Sequence, residues 1–362
     1  MVTAILRTRF RILLALSSAL ASASAGCQPE FEDRASLVAA VKVLGVRSDP
    51  AEAAPGTAIQ YTALVGDVNG TRTDVPIEWA YCTLPKPVSE TNDINVQCFG
   101  DGPFIKHFVG TGQSVSAEIP LFPDSACNQF GPDLPNIPGQ PPGRPADPDS
   151  TGGYYQPVRL AVNRGKAYDF SVAETRISCN LPGATAEVLI DYQKRYRANQ
   201  NPEIDTLSAT APGFDHLDLA VESKGDSGLV VAPGAAVRLS ASWAACPAPG
   251  CGNGVCDPGE DMTTCAEDCA TPKGCTGAEP YVYYDLASRS LLDRHEAMRV
   301  SWYANGGAFA DDRTGRTEDE TALPNADNTW TAPARPGTFV LWVVLRDSRG
   351  GLGSKSYRVI VQ

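Results

Sequence analysis

Six of the eleven cysteines fall within thirty residues, and this cluster constrains the fold more than any other feature of the sequence. The inner segment, CGNGVCDPGEDMTTCAEDC, is bracketed by Cys246 and Cys275. A module this short cannot build a hydrophobic core of its own, so it depends on covalent cross-links. Because strand-like sequence stops before Cys246 and resumes after Cys275, we predict a disulfide-rich insertion, residues 246–275, within a β domain.

The inner cysteines of this segment allow two interpretations. Their spacing could hold zinc. An exported chain is normally oxidised, and the intervening residues are acidic, which favours two internal disulfides with a Cys246–Cys275 bridge at the base. The inner cysteines are Cys251, Cys256, Cys265 and Cys269.

Carboxylates in the same segment suggest calcium binding. Asp257, Glu260, Asp261 and Asp268 offer oxygen ligands in a cross-linked loop that contains no Lys or Arg, and calcium prefers such ligands. The spacing differs from that of an EF-hand, and a solvated acidic loop is the alternative. With the inner cysteines in disulfides, calcium is the only cofactor that the sequence suggests.

The N-terminus has the three parts of an export signal, residues 1–26. Arginines precede a short apolar run, and small residues follow up to Gly26. Ser24–Cys27 resembles the bacterial lipobox, in which the cysteine is lipidated, although Ser24 stands where that motif usually has an aliphatic residue. Cleavage by ordinary signal peptidase after Ala25 is the alternative.

Cysteine parity favours lipidation at Cys27. Of eleven cysteines, the ten that remain can close five disulfides. We therefore predict a lipoprotein, carrying palmitate among its acyl groups and tethered by residues 27–36 to the outer membrane or cell surface. The formal charge of −12 argues against nucleic acid as a partner. The expected partners are the membrane, through the lipid, and an envelope protein or polysaccharide.

Short alternating strands predict an immunoglobulin-like sandwich over residues 37–182. Ile59–Val65 and Ile77–Cys82 alternate apolar and polar residues, and the second of these carries Trp79, as the third strand of such sandwiches does. A proline-rich stretch, residues 132–148, predicts a surface insertion. The remaining cysteines permit three pairings and are Cys82, Cys98, Cys127 and Cys179.

Three later segments of this domain also have strand character, and a helical linker follows at residues 183–202. The strands are predicted at 156–162, 168–172 and 175–179. In the linker, apolar and tyrosine side chains recur every four residues between 185 and 196. The basic residues near its end suit the helix dipole, and we expect them to form its solvated side: Lys194, Arg195 and Arg197.

The second domain, residues 203–362, repeats the pattern of the first. Pro233–Trp243 matches Pro55–Val65 in form, and Val300–Tyr303 echoes Ile77–Ala80. The predicted fold class is therefore mainly β: tandem immunoglobulin-like β-sandwiches with a small disulfide-rich insertion and one connecting helix.

Two features complete this second domain. Tyr281–Tyr284 is expected to resume the sandwich strands after the insertion. The last two predicted strands, Thr338–Leu345 and Ser356–Val361, are joined by an Asp-x-x-Gly-Gly turn. That ending resembles the immunoglobulin-like and PKD-type domains of bacterial surface proteins.

The chain beyond the signal resembles a group of surface lipoproteins of myxobacteria and related delta-proteobacteria. The resemblance implies a surface location and this architecture, and it implies no defined activity. The segments that carry it are Val43–Arg47 with Pro50 and Pro55–Gly56, Cys251–Asp261, Arg299–Tyr303, Trp330–Pro333 and Leu341–Val344.

The sequence offers few parts for catalysis. Gly225–Gly228 resembles the nucleophile turn of chymotrypsin-like proteases, but a triad needs a histidine base, and none of the three histidines lies in that family's motif. We therefore predict a non-enzymatic protein with a structural, adhesive or ligand-binding role. The alternative is a carbohydrate-binding accessory subunit or a hydrolase of the cell surface. That hydrolase would need a cleft near His295 or near an acidic patch interpreted as a polar surface loop: Asp311, Asp312, Glu318, Asp319 and Glu320.

Overall fold

The computed structural model describes residues 34–84, 95–100, 102, 105–121, 123–129, 153–163, 168–181, 183–221, 228–257, 259–270, 274–285, 287–320 and 322–362. The predicted signal peptide, Cys27, the proline-rich stretch 132–148 and most of Gly225–Gly228 lie outside these residues. Ala35–Gln362 forms one compact unit. None of the helices within the described ranges is long and apolar enough to cross a membrane.

Within the described residues, the first sandwich contains nine strands in two sheets: β1 (Lys42–Asp49), β2 (Glu52–Ala53), β3 (Ala58–Asp67), β4 (Gly70–Arg72), β5 (Ile77–Cys82), β6 (Ile105–Thr111), β7 (Ser114–Glu118), β8 (Tyr154–Asn163) and β9 (Tyr168–Ile177). One sheet has the order β1–β3–β4, with β7 also pairing with β3, and the other has the order β2–β9–β8–β5–β6. Inward residues alternate along β3, where Ile59, Tyr61 and Val65 are fully buried, whereas β8 is buried on both faces.

The strands of the second half are β10 (Ile204–Ala211), β11 (Phe214–Asp218), β12 (Leu229–Val231), β13 (Ala236–Trp243), β14 (Pro280–Asp285), β15 (Ser290–His295), β16 (Met298–Ala304), β17 (Ala308–Phe309), β18 (Arg313–Arg316), β19 (Asn325–Thr331), β20 (Gly337–Asp347) and β21 (Leu352–Val361). The second sandwich consists of the sheets β11–β10–β13–β19–β17 and β12–β21–β20–β16–β18. Strands β14 and β15 form a separate hairpin.

Both sandwiches have the immunoglobulin-like strand arrangement. In each, a short early strand, β2 or β12, pairs in parallel with the last strand, β9 or β21. Two strands further along the sheet from the last strand lies β5 in the first sandwich and β16 in the second. Each carries a fully buried tryptophan, Trp79 on β5 and Trp302 on β16. A buried Trp at this place is typical of immunoglobulin-like sandwiches. The predicted fold class is therefore confirmed.

Three helices and two 3-10 turns complete the described structure: α1 (Ala126–Gln129), α2 (Ala186–Arg195), α3 (Ala266–Cys269), Val96–Phe99 and Glu318–Glu320. Helix α2 matches the predicted linker helix. The Thr185 hydroxyl caps its N-terminus by accepting a hydrogen bond from the Val188 amide, at 3.4 Å.

Two predicted strand assignments differ from the structure. Residues 168–172 and 175–179 were expected as separate strands, but β9 is continuous because it pairs with β8 along its whole length. Tyr281–Tyr284 was expected to return to the sandwich. It lies in β14, whose ladder is with β15, so the connection from β13 to β16 contains both the cysteine-rich insertion and a hairpin.

The two sandwiches pack against each other through an apolar seam, formed by Val38, Leu44, Val340, Trp342, Val344 and Leu352. Val340–Leu345 is consequently buried on both faces of β20. The Trp342 Nε1 also donates a hydrogen bond to Thr71 Oγ1 of the first sandwich, at 2.8 Å. The close approach requires glycine at Gly66, where a Cβ atom would lie 2.9 Å from the Trp342 ring.

Candidate functional site

Three disulfides close the predicted insertion, which we call the stapled insertion, residues 246–275. Cys246–Cys275 closes its base, and Cys251–Cys265 and Cys256–Cys269 cross-link its interior. All four inner sulfurs are therefore engaged in disulfides, which removes the thiolates that zinc would need. In the first sandwich the pairs are Cys82–Cys98 and Cys127–Cys179, one of the three predicted pairings.

Two of the predicted calcium ligands instead bind the backbone of the insertion. Asp268 accepts hydrogen bonds from the amides of Gly252 and Gly254, at 2.6 and 3.0 Å. Asp257 accepts one from the Gly250 amide and one from Asn253 Nδ2, both at 2.8 Å. Both side chains are buried. These carboxylates hold the loop of the insertion in its conformation.

The other two predicted ligands also have local partners. Glu260 accepts from the Asp257 amide at 3.0 Å. Asp261 accepts from the Thr263 hydroxyl and amide and from the Thr264 amide, and these bonds lower the pKa of Asp261 to about 2.

The structure does not gather the four carboxylates at one point. Among the described residues, one carboxylate oxygen of Glu260, one of Asp268 and the Cys265 sulfur all lie within 4.8 Å of one another. The Cys265 sulfur is already in a disulfide. Asp257 and Asp261 are not part of that group. Calcium binding stays a prediction, and the geometry offers it two carboxylates rather than four.

Arg197, just beyond α2, anchors the stapled insertion to the linker. Its guanidinium donates to the carbonyl oxygens of Cys256, Asp257 and Glu260, at 2.7, 2.9 and 2.6 Å. The expectation that the basic residues of the linker form a solvated side is wrong for this residue, because carbonyls at the turns of the insertion need donors. Arg195 lies at the surface, as expected, where it forms ion pairs with Asp191 and with Asp293 of β15.

Beneath the insertion lies a buried ion cluster, formed by Glu52, Arg176, Glu279, Glu296, Asp347 and Arg349. None of the six residues is more than 7% exposed. They come from the first sandwich, the two ends of the β14–β15 hairpin and the β20–β21 turn. The cluster therefore connects the first sandwich, the second sandwich and the hairpin.

Arg349 is the centre of this cluster. Its Nε donates to Glu296 and its Nη2 donates to Glu279, both at 2.6 Å, so one guanidinium joins the two ends of the hairpin. Its Nη1 donates to the Arg197 carbonyl at 3.0 Å. The guanidinium also lies over the Tyr281 ring, 4.9 Å from the centroid. Arg349 thus holds the hairpin and the linker together.

Glu52 connects the first sandwich to the same linker. It accepts hydrogen bonds from the Ser178 hydroxyl at 2.8 Å, from the Asn199 amide at 3.0 Å and from the Tyr196 hydroxyl. Arg176 Nε lies 3.2 Å from Glu52 Oε2, the oxygen that also accepts from the Asn199 amide. Burial alone would raise the pKa of Glu52, but the charges of Arg176 and Arg349, together with the hydrogen bonds from Tyr196 and Asn199, outweigh burial and lower it.

The cluster contains four carboxyl groups and two guanidinium groups, and burial of the carboxyl groups is the main influence on its protonation. Burial raises the pKa of Glu279 to about 7. Burial also raises the pKa of Glu296 far above its usual range, and the Asp347 charge adds to that shift. The pKa of Asp347 is raised as well, chiefly by burial. Glu279 is therefore about half protonated near neutral pH, whereas the lowered pKa of Glu52 keeps that group ionised.

The cluster is closed to a substrate. A cavity of about 10 Å³, lined by Arg197, Cys256 and Glu279 among others, separates it from the stapled insertion. That volume holds about one water molecule. A larger cavity of about 500 Å³ lies beside the Cys127–Cys179 disulfide, and none of the residues that line it is ionisable: Ala54, Pro55, Ser125, Cys127, Asn128, Ser178, Cys179 and Asn180.

The other candidate residues lie apart from these sites. His295 and His216 are exposed, and His216 pairs with Asp218 at 3.1 Å. In the acidic patch, Glu318 forms an ion pair with Arg294, and Glu320 accepts from the Thr317 amide at 3.0 Å, as in a polar surface loop. The other three members of the patch are exposed, namely Asp311, Asp312 and Asp319.

None of the sequence patterns predicted the ion cluster. Its members extend from Glu52 to Arg349, and no local spacing connects them. The nearest signal was the Asp-x-x-Gly-Gly turn, which contains Asp347 and Arg349 but was interpreted only as a turn.

Comparison with known proteins gives no family. No family model and no curated protein matches the sequence. Among solved structures, the D00-D0 domain of intimin aligns at 9% identity over 89% of this chain and 98% of that chain, with a TM-score of 0.20. A chimeric titin Z1Z2 carrying a KLER exogenous peptide from decorin aligns at 8% identity over 90% and 98%, with a TM-score of 0.16. The native conformation of E. coli alpha-2-macroglobulin aligns at 10% identity over 91% and 23%, with a TM-score of 0.17. The fold assignment accordingly depends on the strand order described above.

Proposed function

We propose that this protein is a non-catalytic lipoprotein of the cell envelope, anchored through Cys27, with a structural or adhesive role. The observation that carries the proposal is the pairing of all ten other cysteines in five disulfides. Disulfides persist in oxidising compartments outside the cytosol. A chain held in this way is suited to work at the cell surface.

The packing of the two sandwiches supports a structural role. The apolar seam and the ion cluster join them at two places, so they form one block and present their outer loops in a constant orientation. The described carboxyls with raised pKa lie in the closed cluster, where a substrate has no access. Both features favour display and contact over catalysis.

The anchor is tested by labelling cells with radioactive palmitate. We expect label on the wild-type chain, none on Cys27→Ser, and release of that variant from the membrane fraction. A second variant, Cys82→Ser with Cys98→Ser, controls for loss of a cysteine pair and should keep the label. An unlabelled wild-type chain would remove the lipid anchor from the proposal.

Calcium in the stapled insertion is tested separately. If Glu260 and Asp268 hold calcium, adding a chelator lowers the unfolding temperature, and Glu260→Gln removes the effect. Identical melting curves with and without chelator would contradict calcium binding. Glu260 and Asp268 would then serve only as hydrogen-bond acceptors for the backbone.

One observation favours the alternative, a carbohydrate-binding subunit. Phe99 and Phe108 are 47% and 63% exposed, and aromatic faces of this kind can stack on sugar rings. The test measures retention of the protein on immobilised envelope polysaccharide. Carbohydrate binding is supported if Phe108→Ala loses this retention and the exposed control Leu323→Ala keeps it.

A further inference from the structure

Three arginines lie on the face of the second sandwich that also carries the apolar seam, and we call them the arginine patch: Arg299, Arg313 and Arg346. Arg299 and Arg313 are exposed, whereas Arg346 is half-buried beside Leu44 of the first sandwich. Arg299 on β16 lies directly opposite Arg346 on β20, and Ser301 on β16 lies directly opposite Arg313 on β18. Paired residues of neighbouring strands project to the same face, and alternate residues of one strand do so as well. All three arginines therefore surround Ser301 on one face.

The patch has no carboxylate to neutralise it. Within the described part of the chain, none of the three arginines forms an ion pair. Arg346 Nη1 donates to Ser301 Oγ at 3.2 Å and its Nη2 donates to the Leu44 carbonyl at 2.9 Å, and both acceptors are neutral. Burial, with the charges of Arg313 and Arg299, lowers the pKa of Arg346.

Arg47 and Arg197 donate to backbone carbonyls instead of carboxylates. Eight other described arginines have acidic partners: Arg72, Arg159, Arg176, Arg195, Arg238, Arg294, Arg316 and Arg349. The chain has 42 acidic and 30 basic side chains, so carboxylates are abundant. Like charges directly opposite each other in a sheet are destabilising. An uncompensated patch in such a chain points to a partner from outside it.

We propose that the arginine patch binds a phosphate or sulfate group of an external ligand. Guanidinium groups donate planar pairs of hydrogen bonds that match these oxyanions. Three cations around one point suit a group with at least three acceptor oxygens better than a two-oxygen carboxylate. The inference goes beyond the proposed envelope role, because it assigns a ligand chemistry and does not depend on the lipid anchor.

The site is tested with the full chain carrying Cys27→Ser, which removes the predicted lipid site. Inorganic phosphate or sulfate is added at constant ionic strength, set with sodium chloride, and the unfolding temperature is followed. We expect a saturable rise, with the apparent affinity about tenfold weaker in Arg299→Gln and in Arg313→Gln. Arg335→Gln, an exposed arginine outside the patch, should match the parent.

A second measurement separates binding from a structural role. Without added anion, the double variant Arg299→Gln with Arg313→Gln should be at least as stable as the parent, because it removes repulsion. A less stable double variant would mean that the arginines support the fold and would overturn the proposal. The absence of a saturable phosphate or sulfate effect, or an equal effect in the double variant, would overturn it too.

The source of the anion is then resolved with two multivalent probes. Heparin presents sulfate on a polysaccharide, and vesicles containing phosphatidylglycerol present phosphate on a membrane. Binding of either probe that disappears in the double variant identifies the source. If heparin or the vesicles still bind the double variant, and free phosphate or sulfate has no effect on it, the probe binds elsewhere. That result contradicts the site.

Discussion

The apolar seam and the ion cluster both join the two sandwiches, but different forces hold them. The seam buries Trp342, Val344 and Leu44 between two sheets. Its contribution follows the area removed from water and does not depend on pH. The ion cluster buries six charged or titratable side chains whose energy depends on pairing and protonation. The apolar seam thus contributes most of the free energy that holds the sandwiches together. The ion cluster fixes the relative position of the sandwiches, the linker and the hairpin.

The largest effect is expected for the seam. Trp342→Ala removes a fully buried ring and the hydrogen bond to Thr71, and should cost about 3–5 kcal/mol in the free energy of unfolding. Denaturant titration measures it. Trp342→Phe, which keeps most of the ring, is the matched control and should lose less. Equal losses for the two variants would mean that the hydrogen bond, and not apolar burial, dominates the seam.

Removing the central cation of the ion cluster should have the next largest effect. Arg349→Gln leaves Glu279 and Glu296 without their partner and should cost about 3 kcal/mol. We expect the low end of the usual range because both carboxyls can take up protons. Adding Glu279→Gln and Glu296→Gln to this variant should restore much of the loss. No restoration would show that the hydrogen-bond geometry of Arg349 matters more than its charge.

The two contacts should also differ in pH dependence. The pKa of Glu279 is about 7 in the folded protein, against a usual value of 4.5. Between these values the folded state holds a proton that the unfolded state has lost, so stability falls as pH rises through this window, by on the order of 3 kcal/mol. The lowered pKa of Glu52 acts in the opposite direction, and its contribution disappears on acidification below about pH 4.5.

Melting curves from mildly acidic to neutral pH measure this difference. Glu279→Gln should flatten the decline, whereas Trp342→Phe should keep its slope. A flat profile in the unmodified chain would contradict the protonation that we assign to the hairpin carboxyls.

The smallest global effect is expected at the stapled insertion. Arg197→Ala removes three hydrogen bonds to backbone carbonyls of the insertion and should cost about 1–2 kcal/mol. Amide hydrogen exchange should accelerate in residues 250–270 and stay unchanged in the apolar seam. Lys194→Ala, at an exposed neighbouring position, is the control. Equal acceleration in both regions would mean that the insertion is part of the global folding unit.

Much of the architecture could be predicted because strand patterns are local. The alternation in Ile59–Val65 and Ile77–Cys82 placed β3 and β5 correctly, and the matching Pro233–Trp243 and Val300–Tyr303 lie on β13 and β16, their counterparts in the second sandwich. The place of the stapled insertion between two strands followed from the same patterns. The hairpin β14–β15 was missed because alternation reveals that a strand exists but does not reveal its partner.

What the sequence alone determined about this protein is its class: the β-rich pattern, the cysteine content and the expectation of cross-links all follow from residues near one another in the chain. Only the tertiary structure decided which cysteines pair, that Val340–Leu345 is buried on both faces, and that Glu52 and Arg349 belong to one cluster. The physical reason is distance along the chain. Local periodicity records which face of a strand is apolar, whereas pairing, desolvation and protonation depend on groups that meet only after the sandwiches pack together.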